Sequence, residues 1–204
     1  MRPCTALILI LCLVGGVRAD TGDVTLLAGP IAGGSFDDLE SGAELDIDAA
    51  AGFGIAAHIN APAGGQYEFL YLRQATDIGT SALFSPADEV DLDIEYFQVG
   101  GNYPLGEQQA WQPYVVLTVG AARYSPDAPD TESEVFAAMT GGLGLYHELG
   151  ERFALRLEAR ALATWVDEET SVFCVSAGGA VCAINVEGDT VVQWSAMAAL
   201  TWRF

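Results

Sequence analysis

VVQWSAMAALTWRF (191–204) ends the chain. Counted back from Phe204, every second residue is apolar: Trp202, Leu200, Ala198, Ala196, Trp194 and Val192 follow in turn. Arg203, Thr201, Ala199, Met197, Ser195 and Gln193 fill the places between. A period of two marks a β-strand, whose side chains alternate between two faces. Fourteen residues is long for a strand, since ordinary ones run about five to six. A soluble domain usually ends in a frayed polar tail. A closing strand in lipid would not, because every backbone N–H and C=O there needs a partner and the sheet must close on itself. Phe204 and Trp202 are then expected at a membrane boundary, in an aromatic girdle.

The same alternation runs through LDIDAAAGFGIAAHINA (45–61). Leu45, Ile47, Ala49, Ala51, Phe53, Ile55, Ala57 and Ile59 share one face; His58 lies on the other. In all, strands are expected at 23–34, 45–60, 66–76, 90–103, 111–124, 134–147, 152–166 and 189–204. The connections alternate in length. APAGG (61–65), PLGEQQA (104–110) and ELGE (148–151) are short, whereas SFDDLESGAE (35–44), DIGTSALFSPADE (77–89), SPDAPDTES (125–133) and 167–188 are long. Short turns at one end and long loops at the other are the asymmetry of a transmembrane barrel. The long connections are acidic, with Asp37, Asp38, Glu40, Asp127, Asp130, Asp167, Glu168 and Glu169 among them. Tyr67, Tyr103, Trp111, Tyr146 and Phe153 are expected to ring the short-turn rim, and Tyr124, Phe136 and Trp165 the opposite one. The fold class is therefore all-β: an eight-stranded antiparallel up-and-down transmembrane β-barrel.

Ahead of the strands stands MRPCTALILILCLVGGVRA (1–19). Arg2, a short apolar run and the small-residue site Val17-Arg18-Ala19 spell a cleavable signal peptide, too short to span a bilayer as a helix. Cys12 does not read as a lipid attachment site, because Leu11 precedes it where a small residue is needed. The domains are thus 1–19, signal peptide, and 20–204, barrel. Cleavage removes two arginines and no acid, taking the net charge from −20 to −22. All eight basic residues are arginine. So acidic a chain is not built for nucleic acid, which needs a basic surface.

Half the residues are hydrophobic, yet no mature stretch has 18 consecutive apolar residues, so a helical membrane protein is excluded. Cys174 and Cys182, in FCVSAGGAVC (173–182), are the only cysteines left after cleavage. An exported chain with one close pair is expected to join them as a disulfide. They lack metal-site spacing, and no metal or cofactor is expected.

Charge inside the strands is more telling. In RFALRLEARALATWV (152–166), Leu155, Leu157, Ala159 and Ala161 take the outward parity, so Arg156, Glu158 and Arg160 turn inward together. A charged side chain facing lipid at mid-depth costs about 2–4 kcal/mol. The same rule turns Glu68 and Glu95 inward, since Tyr67, Phe69 and Tyr71, and Leu92, Ile94 and Tyr96, claim the lipid face. Arg203 is inward by parity. Eight strands enclose only enough room for side chains, so an Arg/Glu network is expected to plug the lumen. Arg73 and Arg123 fall on the outward parity near the long-loop end, where arginine forks suit phosphates at the membrane interface.

Taken together, the signal peptide, YEFLYLRQATD (67–77), DIEYFQVGGNY (93–103), WQPYVVLTVGAARY (111–124), the cysteine loop and the terminal TWRF resemble the small eight-stranded outer-membrane barrels of Gram-negative bacteria, the opacity-porin-like, OmpA-transmembrane-like and OmpW-like group. The resemblance implies location in the outer membrane, and recognition of the final aromatic by the outer-membrane assembly machinery. It implies architecture rather than activity. A monomer in contact with outer-membrane lipid and lipopolysaccharide is expected. A lipid A-modifying enzyme would need a histidine near the outer leaflet. His58 and His147 both fall toward the short turns, about one membrane thickness away, so no enzyme is expected. A soluble ligand-binding barrel is disfavoured by the inward charges. Two readings stay open: a structural and interaction barrel, or a conduit for small hydrophobic molecules of the OmpW-like kind.

Overall fold

The computed structural model describes residues 22–37, 44–61, 64–79, 89–107, 109–126, 133–166 and 190–204. The expected residues 1–19 and the pair Cys174 and Cys182 lie outside them.

Ten strands form. Eight build a closed barrel: β1 (Gly22–Ala32), β4 (Ala50–Asn60), β5 (Gln66–Gly79), β6 (Glu89–Pro104), β7 (Gln112–Pro126), β8 (Glu134–Glu148), β9 (Phe153–Trp165) and β10 (Thr190–Arg203). Each pairs antiparallel with its neighbours in sequence, and β1 pairs with β10 to close the wall. The two short strands, β2 (Ser35–Asp37) and β3 (Glu44–Asp46), pair with each other above the long-loop end.

Following the pairs once round the wall gives the stagger. From Arg123 the path runs through Glu95, Arg73, Phe53, Ala28, Ala198, Leu157 and Leu145, and reaches β7 again at Pro113, ten residues from its start. A stagger of that size over eight strands tilts them about 40° from the axis. With only eight strands the lumen is no wider than side chains can fill. Close strand approach then demands small residues. A Cβ on Gly100 would lie 2.0 Å from the carbonyl oxygen of Leu117 on the next strand.

Alternation sorts the side chains. Leu26, Phe53, Ile55, Phe69, Phe97, Val99, Leu117, Val119, Leu143, Leu157 and Leu200 are exposed on the outer face. In water so large an apolar surface would drive association; here it is the belt that meets hydrocarbon. Tyr67, Tyr103, Trp111, Phe153 and Trp202 are exposed at the short-turn end, and Trp165 and Trp194 toward the other.

Three expectations need correction. The strand at 45–60 is two pieces, broken at residues 47–49. There Ile47 N bonds to Gly34 O and Asp48 N to Asp77 O, so the chain bends inward and Ile47 is buried, not outward. Tyr124 and Phe136 are buried in the lumen and stack edge to face, so they are not girdle residues. Tyr146 turns inward, where Arg156 lies over its ring. The upper half of this lumen is apolar, so apolar character alone does not mark the lipid face.

Candidate functional site: the charged lower lumen

The lumen has two storeys. Toward the long loops it is filled by Ile31, Ile94, Tyr96, Tyr124, Phe136 and Leu162, all buried. Polar bridges cross this layer: Tyr96 donates to Gln193 Oε1 at 2.7 Å, and Gln193 Nε2 to Gln74 Oε1 at 3.0 Å. Toward the short turns the filling is ionic.

The members of the ionic storey come from inward positions of five strands. β9 supplies Arg156, Glu158 and Arg160 at successive inward places; β5 supplies Glu68, β4 His58, β1 Asp23 and β7 Tyr114. Arg160 joins two acids, with Nη1 on Glu68 Oε1 at 2.8 Å and Nε on Glu158 Oε2 at 2.7 Å. The Tyr114 hydroxyl donates to the other oxygen of Glu158. His58 stands between Asp23 and Glu68, with Nδ1 2.6 Å from Asp23 Oδ1 and Nε2 3.1 Å from Glu68 Oε2. Arg156 donates from Nη2 to Gln66 Oε1 at 2.9 Å and from Nε to Thr201 Oγ1 at 3.1 Å; Asp23 Oδ2 lies 3.6 Å from Nη2. The rings of Tyr114 and Tyr146 flank the Arg156 guanidinium at 5.6 and 5.3 Å.

Two local features make the layer possible. Tyr114 lies flat against β8, where a Cβ on Gly144 would come within 2.2 Å of its Cζ. Only glycine leaves that space. Asp23, Thr25 and Thr201 sit where β1 and β10 close, and Thr25 Oγ1 lies 2.7 Å from Thr201 Oγ1. The seam of the barrel is thus held by side chains as well as backbone.

Glu95 does not belong to this layer. It points outward, because Leu92, Ile94 and Tyr96 are buried inside while Phe97 and Val99 face out. It accepts from Tyr71 at 2.7 Å and lies 3.5 Å from Arg123 Nη1. Beside it Arg73 holds Asp93 with a fork, Nη2–Oδ2 2.8 Å and Nε–Oδ1 3.1 Å. Arg73, Glu95 and Arg123 are direct register partners on β5, β6 and β7. All three lie at the long-loop end of the apolar belt.

At the short-turn rim, Trp202 and Phe204 pack edge to face at 5.6 Å, and Arg203 donates to Glu148 at 2.6 Å. His147 stacks on Trp111 at 4.6 Å, outside the lumen.

The charged trio on β9 carried its own signal, three ionisable residues at one parity. Asp23, His58 and Tyr114 did not, being single polar residues on otherwise apolar or small faces. His58 shares its parity with Ala56, Gly54 and Gly52, opposite Phe53, Ile55 and Ile59. That contrast was the available clue.

Residues 8–180 match the family model of the outer membrane protein beta-barrel domain. Among solved structures, Neisserial surface protein A (NspA) superposes with a TM-score of 0.61 at 15% identity, over 92% of this chain and 100% of that one. OprG from Pseudomonas aeruginosa gives 0.56 at 15% identity, over 93% of this chain and 99% of that one. At such identity the likeness is one of fold. No curated protein matches the sequence significantly.

Proposed function

The chain belongs to the outer membrane protein beta-barrel domain family and is an integral barrel of the outer membrane, and from that premise we propose a structural and interaction role in which the barrel stiffens the membrane and presents its acidic loops. One observation carries the reading: the side chains of five strands meet across the lumen in a buried ionic layer, beneath an apolar one. Buried charges persist when paired and hydrogen-bonded, and this set is held by Arg160, Arg156 and His58 together. On this reading a lumen so filled would offer no continuous aqueous path through the described residues.

The same premise puts the short turns in the periplasm and the long loops outside. Arg73 and Arg123 then stand at the outer interface, where they would contact lipopolysaccharide phosphates beside the outer-leaflet lipid. Their exposed side chains, 52% and 48% accessible, support this contact. Phe204 and Trp202 would be read by the assembly machinery, and the barrel would work as a monomer. No catalytic role is proposed: His58 is committed to two carboxylates inside the lumen, and His147 to Trp111 and the Ala110 carbonyl.

Transport of small hydrophobic molecules is the second reading. The apolar upper storey favours it, and the Tyr96–Gln193–Gln74 bridge across that storey opposes it. Flux through proteoliposomes tests both. Vesicles carrying the folded barrel should hold a small-sugar gradient and an entrapped apolar dye as tightly as empty vesicles. Accelerated sugar leakage would overturn the closed-lumen reading, and accelerated loss of the dye alone would favour the conduit.

A further inference from the structure

His58 is buried in the ionic storey with an acceptor at each ring nitrogen: Asp23 Oδ1 lies 2.6 Å from Nδ1, and Glu68 Oε2 3.1 Å from Nε2. An ionised carboxylate only accepts. Both ring nitrogens therefore carry a proton in this arrangement, and the ring is an imidazolium. Charge balance agrees. Asp23, Glu68 and Glu158 bring three negative charges, and Arg156 and Arg160 two positive ones. Buried charges persist when compensated, and the charge on His58 makes the layer neutral.

A third group reaches the same ring. Arg156 Nη1 lies 3.4 Å from His58 Nε2. A guanidinium only donates, so it cannot bond a protonated Nε2 and is the partner for a bare one. Nε2 thus stands between an acceptor that suits the charged ring and a donor that suits the neutral ring. Nδ1 has no such choice, since its neighbours are Asp23 and, at 3.4 Å, the Thr25 hydroxyl. Around this centre, Arg160 holds the other oxygen of Glu68 at 2.8 Å, and β10 brings the neutral Thr201 hydroxyl, which accepts from Arg156 Nε.

We propose that His58 is a proton-operated latch in the plug. With Nε2 protonated it ties Asp23 of β1 to Glu68 of β5; without that proton Nε2 accepts from Arg156 of β9 instead. The exchange acts on the periplasmic mouth. Arg156 also donates to Gln66 and Thr201 and lies between the rings of Tyr114 and Tyr146, so a firmer bond to His58 moves the guanidinium on which these groups converge. Asp23 lines a recess of about 700 Å³ at that mouth, which puts the latch in reach of periplasmic protons. At acid pH the latch fails from the other side, as protonation of Asp23 and Glu68 removes the acceptors. The latch deepens the closed-lumen reading and rests on it: leaking vesicles would refute the plug, whereas titration of the ring reads the latch by itself.

The test is an NMR titration of the refolded barrel in detergent micelles, with histidine rings and arginine side chains nitrogen-labelled. It runs across and beyond about pH 5 to 8, the span in which histidine ordinarily changes charge. His147→Gln assigns the two rings, since the chain has no other histidine. At the acid end of that span both nitrogens of His58 should be protonated. On discharge Nε2 should lose its proton and Nδ1 keep it, and the Arg156 guanidinium signals should shift at the same midpoint. His58→Gln should abolish the Arg156 shift, and His147→Gln should leave it. Should His58→Gln not fold, the wild-type titration decides alone. Four results would each overturn the latch: a neutral ring at the acid end, a ring that keeps both protons until the barrel unfolds, a neutral ring protonated on Nε2, or a discharge that leaves the Arg156 signals unmoved. An Arg156 shift that survives in folded His58→Gln would do the same.

Discussion

Glu68 and Glu158 meet one guanidinium, that of Arg160, and all three side chains are at most 1% exposed. Neither acid has water to turn to. Removing one partner of a buried ionic group costs about 3–5 kcal/mol, because the other charge is stranded, while replacing the pair by apolar or neutral groups is often nearly neutral. Arg160→Met should therefore lower stability by about that amount, measured by urea unfolding of the refolded barrel in detergent. Adding Glu68→Gln and Glu158→Gln should restore most of the loss. Additive losses in the triple variant would mean that the charges do not act as one unit. On the outer wall the logic differs. Arg73 and Arg123 are half-exposed, and such ion pairs contribute little to stability, about 0–1 kcal/mol. Replacing both by Gln should leave unfolding unchanged but reduce the lipopolysaccharide that copurifies; unchanged copurification would remove the proposed phosphate contact.

At the scale of the strand, periodicity carries most of the information and polarity less. The alternation in β10 and β9 located both faces, because every outward residue there is apolar or small. In β6 it did not. Leu92, Ile94 and Tyr96 were expected on the lipid face and Glu95 inside, whereas the structure has them reversed. The cause is height along the axis. Low on β6, Phe97 and Val99 face hydrocarbon and fix the parity; higher up the strand reaches the interface, so charge is tolerated outside and apolar groups fill the lumen inside. The rule that charge turns inward holds only at membrane depth. The break at 47–49 leaves no mark on the sequence, because Leu45 to Ile59 keep a period of two across it; bending inward buries Ile47 without changing the pattern. Strand β10 ends at Arg203, and Trp202 and Phe204 pack edge to face at the rim. Deleting Phe204, or replacing it by Lys, should leave the stability of in vitro refolded barrel within about 0.5 kcal/mol but cause unassembled, proteolysed protein in cells. Wild-type levels of assembled protein from the deletion would count against an assembly role.

The whole molecule distributes its charge by height. Beyond residue 19 the chain carries six arginines: Arg156 and Arg160 in the lower lumen, Arg152 and Arg203 at the short-turn mouth, Arg73 and Arg123 at the outer interface. The acids gather in the long connections. Those connections are joined to a wall that is already closed by backbone pairing, so their covalent links should matter locally. If Cys174 and Cys182 are bonded, the chain-entropy model assigns so short a loop about 2–3 kcal/mol. Replacing both by Ser should leave the barrel folded and heat-modifiable on gels, while making the loop at 167–188 sensitive to protease. Free thiols in non-reduced protein would refute the bond.

The central claim is that this barrel is shut by its own side chains. Voltage-clamped planar bilayers test it most directly, using refolded protein first shown to be folded by its heat-modifiable migration. The filled lumen predicts a silent membrane, with no unit steps of current at any applied potential the bilayer withstands. Discrete, reproducible conductance steps from the folded wild-type protein would contradict it.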